Sequence, residues 1–160
     1  MSEAAQLMLF GNDTLAEARA LVESNLDEGM ECPCCGQLAR KYKRKLNSTM
    51  ARGLIWLVRQ GPRWVDVPAE GPRWLTKTNQ HATLRWWDLV ERLSSDDPAK
   101  KHSGMWQATQ VGIDFVCRRT TVPAHVYHFN NTVMGFSSES IGIEAALGSH
   151  FDYAEMMGWR

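Results

Sequence analysis

Apolar residues recur at helical spacing in two early stretches of the chain. In the first, Leu15, Ala18, Leu21, Val22 and Leu26 fall on one face, Asp13 or Thr14 can cap the start, and Gly29 is placed to stop the helix. Glu17, Glu23, Asp27 and Glu28 take its outer face. The second stretch runs from about Ser48 to Gln60, with Met50, Leu54, Leu57 and Val58 as the apolar stripe and Arg52 and Arg59 turned away. Gly61-Pro62 ends it, because proline disfavours helix at its own position and at the one before. The phrase Gly61-Pro62-Arg63-Trp64 returns as Gly71-Pro72-Arg73-Trp74. Two copies are too few for a solenoid, and Trp64–Val67 reads as a short strand between turns with the tryptophans partly buried.

The order of signals from Thr78 onward is more specific. Thr78–Trp87 reads as a helix, polar on one side, with Leu84 and Trp87 turned inward. Asp88 falls where a helix ends in a left-handed residue, a conformation that aspartate tolerates. Leu89–Leu93 is a short strand, Ser94–Gly104 a polar loop holding Lys100-Lys101-His102, and Met105–Ala108 a returning strand. Thr109 then caps a helix that carries Val111, Phe115 and Val116. Further on, Ala124–Phe129 and Thr132–Phe136 form a hairpin, since Asn130-Asn131 suits the positive φ angles of a tight turn. Residues 141–147 read as a short helix. In the aromatic tail Phe151–Trp159, the residues Tyr153, Met156, Met157 and Trp159 either cover the core or form a partner surface, and docking is the favoured reading.

A helix, a hairpin with a long polar tip and a capped helix make the layout of a winged helix. Residues 78–119 resemble the winged-helix domains of MarR-like transcriptional regulators. The features that carry the likeness are Leu84, Leu89-Val90-Glu91, the loop 94–104, Trp106, Thr109-Gln110-Val111-Gly112 and Phe115. Asp88 stands where that family has glycine. Counting the helix at 48–60 as the first of the domain, the match covers about half the chain. The pairing of one cysteine knuckle with such a domain also resembles small phage-encoded proteins, a likeness that implies no activity. The expected fold class is α+β: a winged helix-turn-helix core with an N-terminal helix, a cysteine knuckle, and a C-terminal β-hairpin plus short helix. The expected organisation is 1–36 as acidic helix and knuckle, 37–119 as basic winged-helix domain, and 120–160 as hairpin and tail packed on it.

Charge supports a nucleic-acid surface. Eighteen Lys and Arg balance eighteen Asp and Glu over the 160 residues, but they are segregated. Residues 1–36 hold seven acids and one base, residues 37–119 sixteen bases and seven acids, residues 120–160 four acids and one base. A basic middle between acidic flanks is expected of a protein that docks on phosphate. On double-stranded DNA the resemblance places the helix around Asn79–Arg85 in the major groove. Asn79 and Gln80 would face adenine and Arg85 guanine, with His81 and Thr83 as lesser contacts. Lys100, Lys101 and His102 on the wing would meet phosphate or the adjacent minor groove. Lys43, Arg44, Lys45 and Arg52 would anchor the backbone and make affinity depend on salt.

The cysteines leave three outcomes open. Cys32 and Cys35 have C-x-x-C spacing, with proline and glycine placed as in a zinc knuckle, and Cys34 is extra. A structural zinc needs four ligands and a second pair is missing. Zinc is then held with a distant His, shared between two chains, or not bound at all. His125 and His128 are three apart in an apparent strand and so point to opposite faces. Cys117 reads as a buried apolar residue, and redox use is the weaker alternative because no βαβ pattern surrounds the pair.

The chain shows no phosphate loop, nucleophile elbow or HExxH. A metal-activated water at Cys32/Cys35 would lack the accompanying glutamate signature. The reading is therefore a non-enzymatic DNA-binding regulator or accessory factor. The alternative is a protein–protein interaction module or inhibitor of host machinery, in which the winged helix is a scaffold. Winged helices often dimerise on paired half-sites, so a homodimer is left open. No apolar run reaches the roughly 18 residues of a membrane span, and the start lacks a basic n-region. A cytoplasmic protein is expected.

Overall fold

The computed structural model describes residues 14–159, so Asp13, one of the two expected helix caps, lies outside the described residues. Thr14 caps helix α1 (Leu15–Ser24) through a reciprocal pair: the Glu17 N–H donates to Thr14 Oγ1 at 3.3 Å, and the Thr14 N–H donates to Glu17 Oε2 at 2.6 Å. Ala18 and Val22 face inward as the spacing predicts, but Leu15 is 67% exposed because its turn precedes the packed part of the helix. Val22, Leu26, Met30 and Ala39 form a small core, with Leu21 and Phe129 packed on it.

Strands β1 (Met30–Glu31) and β2 (Leu38–Ala39) pair antiparallel around the knuckle. The basic run, left unassigned by periodicity, supplies strand β3 (Tyr42–Lys45). It forms a three-stranded sheet, in the order β3-β8-β9, with β8 (His125–Phe129) and β9 (Thr132–Phe136). The turn of that hairpin is made as expected, with Asn130 at φ 49° and Asn131 at φ 58°.

By internal contacts the chain forms two units. Among the described residues the first comprises those up to Arg44 with Tyr127–Gly135, the second Lys45–Val126 with those from Phe136 on. These boundaries differ from the expected 1–36, 37–119 and 120–160. Most of the basic run sits with the acidic helix, since β3 is hydrogen-bonded into the hairpin sheet.

The second unit is organised on helix α2 (Ser48–Arg59). Its N-cap is Asn47, whose Oδ1 accepts from the Met50 N–H at 2.9 Å. Met50, Ala51, Gly53, Leu54, Ile55 and Leu57 are all buried. Strand β4 is only Val65–Asp66, shorter than the expected Trp64–Val67, because Asp66 caps helix α3 (Val67–Glu70) by accepting from the Ala69 N–H. Helix α4 (Arg73–Thr78) ends at Asn79, which is left-handed at φ 51°. The single helix expected over Thr78–Trp87 is thus divided, and Gln80–Trp87 is wound as a 310 helix.

That helix stops at Asp88, left-handed at φ 58° as the sequence suggests. Strand β5 (Val90–Arg92), the loop, and strand β6 (Met105–Ala108) follow, and β6 lies between β4 and β5. Both pairings are antiparallel, placing Val65 and Arg92 on either side of Trp106. Thr109 caps helix α5 (Gln110–Val116), accepting from the Gly112 N–H and donating to the Asp88 carbonyl. Strand β7 (Val122–Pro123) pairs antiparallel with β10 (Ser140–Ile141), a contact with no local sequence signal. Helices α6 (Ile143–Leu147) and α7 (Tyr153–Met156) close the unit. The tail is docked, as the buried Tyr153 donates its hydroxyl to the Val116 carbonyl at 2.6 Å. No helix among the described residues is long and apolar enough to cross a membrane.

Gly112 marks a tight approach between α5 and the backbone of Leu89, just before β5. A Cβ built there would overlap the Leu89 carbonyl oxygen, which already accepts from the Thr109 N–H. At Gly53 the close contact would be with the flexible end of the Leu75 side chain, at 2.8 Å, with His81 Cβ in ordinary contact at 4.0 Å. Gly112→Ala is therefore expected to cost about 1–3 kcal/mol through overpacking, and Gly53→Ala less. Urea denaturation reads this directly, and an unchanged midpoint for Gly112→Ala would show that the backbone contact is not limiting.

Candidate nucleic-acid interface

The sequence offers twelve side chains for DNA, and the structure distributes them unequally. A cavity of about 340 Å3 lies at the β5–β6 hairpin, lined by Arg85 from the 310 helix and by Arg92, Ser94, Ser95, Lys101 and His102 from the hairpin and its loop, with Leu93 and Trp106 as its apolar wall. No acid lines it. The expected residues Arg85, Lys101 and His102 are thus brought to one place, while Lys100 is exposed but not part of the lining. Arg92 was missed. It stands opposite the buried Trp106 in the β5–β6 register, and its guanidinium carbon lies 5.6 Å from the centre of that ring. The signal was the strand alternation, since a residue two after the buried Val90 shares its face.

The crowding of cations is felt at His102. Its imidazole is held below the usual histidine range, by loss of hydration first and then by Arg92, Lys101 and Arg85. Such a site favours any group that brings negative charge.

His81 departs most clearly from its expected role. It is 4% exposed, beneath the 310 helix, and meets the edge of the Trp106 ring with centroids 5.3 Å apart. Its Nδ1 has no hydrogen-bond partner. It cannot reach a base, because His81, Leu84 and Trp87 form the inward row of a helix with three residues per turn.

Gln80 is partly committed to the fold. Its Oε1 accepts from Asn47 Nδ2 at 2.8 Å, which orients the α2 cap. Asn79 is exposed and Thr83 half-buried.

Arg52 is not a free anchor for phosphate. Its guanidinium carbon lies 3.8 Å from the Trp74 ring centre and 5.0 Å from that of Phe151, a stacked position that ties α2 to α4 and the tail.

Within the first unit the basic run lies over aromatic rings. Lys43 Nζ is 5.9 Å from the Tyr127 ring centre, and Lys41 pairs with Asp27 at 2.7 Å. Arg44 is half-buried and helps hold His128 below its ordinary pKa, after burial as the first cause. Lys45 is exposed and belongs to the second unit.

At the knuckle, the Cys32 N–H donates to the Gln37 carbonyl at 2.7 Å and the Gly36 N–H to the Cys32 carbonyl at 2.8 Å. Gly36 sits at φ 72°, where glycine is favoured. The backbone N–H groups of Cys34 and then Cys35 lower the Cys32 thiol pKa, with a contact from the Cys35 thiol adding to the effect. All four cysteines are free thiols, and Cys117 is half-buried rather than fully buried. Among the described residues no set of three or more His, Cys, Asp or Glu side chains gathers as metal ligands. Comparison of the chain with family models, with curated proteins and with solved structures gives no match.

Burial of His81 makes stability depend on pH. Desolvation lowers its pKa from 6.5 to about 4. Between those values the unfolded chain holds a proton that the folded chain refuses, so stability is full above about 6.5 and falls as pH drops towards about 4. The loss is on the order of 3 kcal/mol. Urea midpoints measured at neutral and mildly acidic pH should show it, and His81→Leu should flatten the dependence. An unchanged slope in that variant would assign the acid sensitivity to another group.

Proposed function

We propose that the chain is a non-enzymatic protein that binds double-stranded DNA, acting as a transcriptional regulator or accessory factor. The observation that carries this reading is the cavity at the wing base where Arg85, Arg92, Lys101 and His102 converge, with no acid among the described residues that line it. The order of elements supports a winged-helix reading. A first helix (α2), an edge strand (β4), a second helical stretch (α3 and α4), the 310 helix and the β5–β6 wing succeed one another, with β6 central in the sheet. In this arrangement Asn79, Thr83 and Arg85 face the groove, and the cavity seats a backbone phosphate between the helix and the wing. Paired cations on a phosphate give affinity without sequence information, while Arg85 is the side chain able to read guanine.

A protein-interaction role is the second reading, and the tail favours it. Trp159 is 60% exposed, with its ring edge-on to Tyr153 at 5.5 Å and the Arg118 guanidinium carbon within 4.8 Å and 5.9 Å of the two ring centres. An exposed aromatic beside an arginine is a common anchor in protein interfaces.

Fluorescence anisotropy of a random-sequence duplex, titrated at several salt concentrations, separates the two readings. Affinity that falls steeply with salt supports DNA binding, and no binding at low salt removes it. Lys101→Ala should weaken all duplexes alike and reduce the salt slope by about one. Arg85→Ala should cost about 1–3 kcal/mol on a preferred site and relax preference at one base pair. Parental binding by both variants would place the interface elsewhere.

Phosphate in the cavity would also relieve the repulsion on His102 and raise its pKa. Binding is then accompanied by proton uptake, so affinity should increase as pH falls from neutral towards about 6. In His102→Ala that increase should be lost. An identical pH profile in the variant would remove His102 from the site.

A further inference from the structure

The cysteine knuckle is built as a metal half-site, and it stands apart from the cationic cavity in both chemistry and unit. The β1–β2 pair, the Cys32–Gln37 and Gly36–Cys32 backbone hydrogen bonds and the left-handed Gly36 fix a tight turn. That turn carries Cys32 and Cys35 at C-x-x-C spacing, the spacing at which two sulfurs bind one zinc. Two thiolates satisfy half of a tetrahedral zinc. Among the described residues no third ligand is gathered beside them, and Cys34, exposed on the same turn, does not complete a set.

We infer that Cys32 and Cys35 form half of a four-thiolate zinc site, which a second copy of the chain completes with its own Cys32 and Cys35.

Three features of the same unit suit this occupant. An apolar groove of about 230 Å3 adjoins the turn, with Leu15, Val22 and Phe129 lining it next to Cys32 and Cys34. Leu15 and Leu38, 67% and 56% exposed, flank the knuckle with uncovered apolar surface. The described part of the unit carries five acids (Glu17, Glu23, Asp27, Glu28, Glu31) and five bases (Arg19, Arg40, Lys41, Lys43, Arg44), so two copies approach without net repulsion. Zinc supplies the fixed point, and binding releases the thiol protons.

The test measures zinc content and molar mass together on the full chain, by elemental mass spectrometry and light scattering. The expected result is a dimer with one zinc per two chains, which dissociates when a chelator removes the metal and re-forms when zinc is restored. Cys32→Ser and Cys35→Ser should lose zinc and dimer together, while Cys34→Ser and Cys117→Ser keep both. The chelation arm uses the unaltered chain, so misfolded variants do not decide the matter. One zinc per monomer, a dimer that survives zinc removal, failure to take up zinc, or loss of zinc in Cys34→Ser would each overturn the inference. None of these outcomes bears on DNA binding, which anisotropy tests on its own terms.

Discussion

Helix α2 is polar only at its ends and edges, and the second unit is arranged to keep it from water. Six of its twelve residues are buried, and the 310 helix, α5, α6, α7 and β6 all pack against it. Burying one large apolar side chain contributes roughly 1.5–3 kcal/mol, so the row Met50, Leu54, Leu57 with Ile55 dominates the stability of this unit. The demands of that row reach outward. Gly53 is the position that allows Leu75 of α4 to approach. Arg52, at the edge, covers Trp74 with its guanidinium instead of offering it to solvent. The β5–β6 hairpin and its cations are held in place because they grow from elements that cover α2.

What could be read from the sequence was mostly local. Thr14 and Thr109 as caps, Asp88 and Asn130-Asn131 each carry their own signal, because a cap or a left-handed turn is decided by a few adjacent residues. Pairings between distant segments carry no such signal. Nothing adjacent to Tyr42–Lys45 says that it joins the hairpin sheet, so the basic run was assigned to the wrong neighbours. The pairing of Val122–Pro123 with Ser140–Ile141 was invisible for the same reason.

The candidate site follows the same division. Arg85, Lys101 and His102 stand out by charge and by position in the helix–wing order, and they meet at one cavity. Arg92 was overlooked because it reads as the exposed end of a strand, although alternation from Val90 puts it on the face that the cross-strand register sets over Trp106. His81 was misread because polarity alone put it outside. Its spacing of three from Leu84 is the stronger fact, since that spacing sets its direction. Composition says which groups are charged; register and winding say which of them meet.

The 310 winding between Asn79 and Asp88 has a consequence for how this segment tolerates change in length. A run of eight residues is long for this geometry, and it is bounded at both ends by left-handed residues that hold its phase. At three residues per turn, inserting three residues would return every side chain to its own row and leave the inward line intact. Inserting four, which an α-helix absorbs with little rotation, would swing His81 or Trp87 off that line and turn a polar neighbour inward. Length variation in this segment of related chains should therefore come in multiples of three.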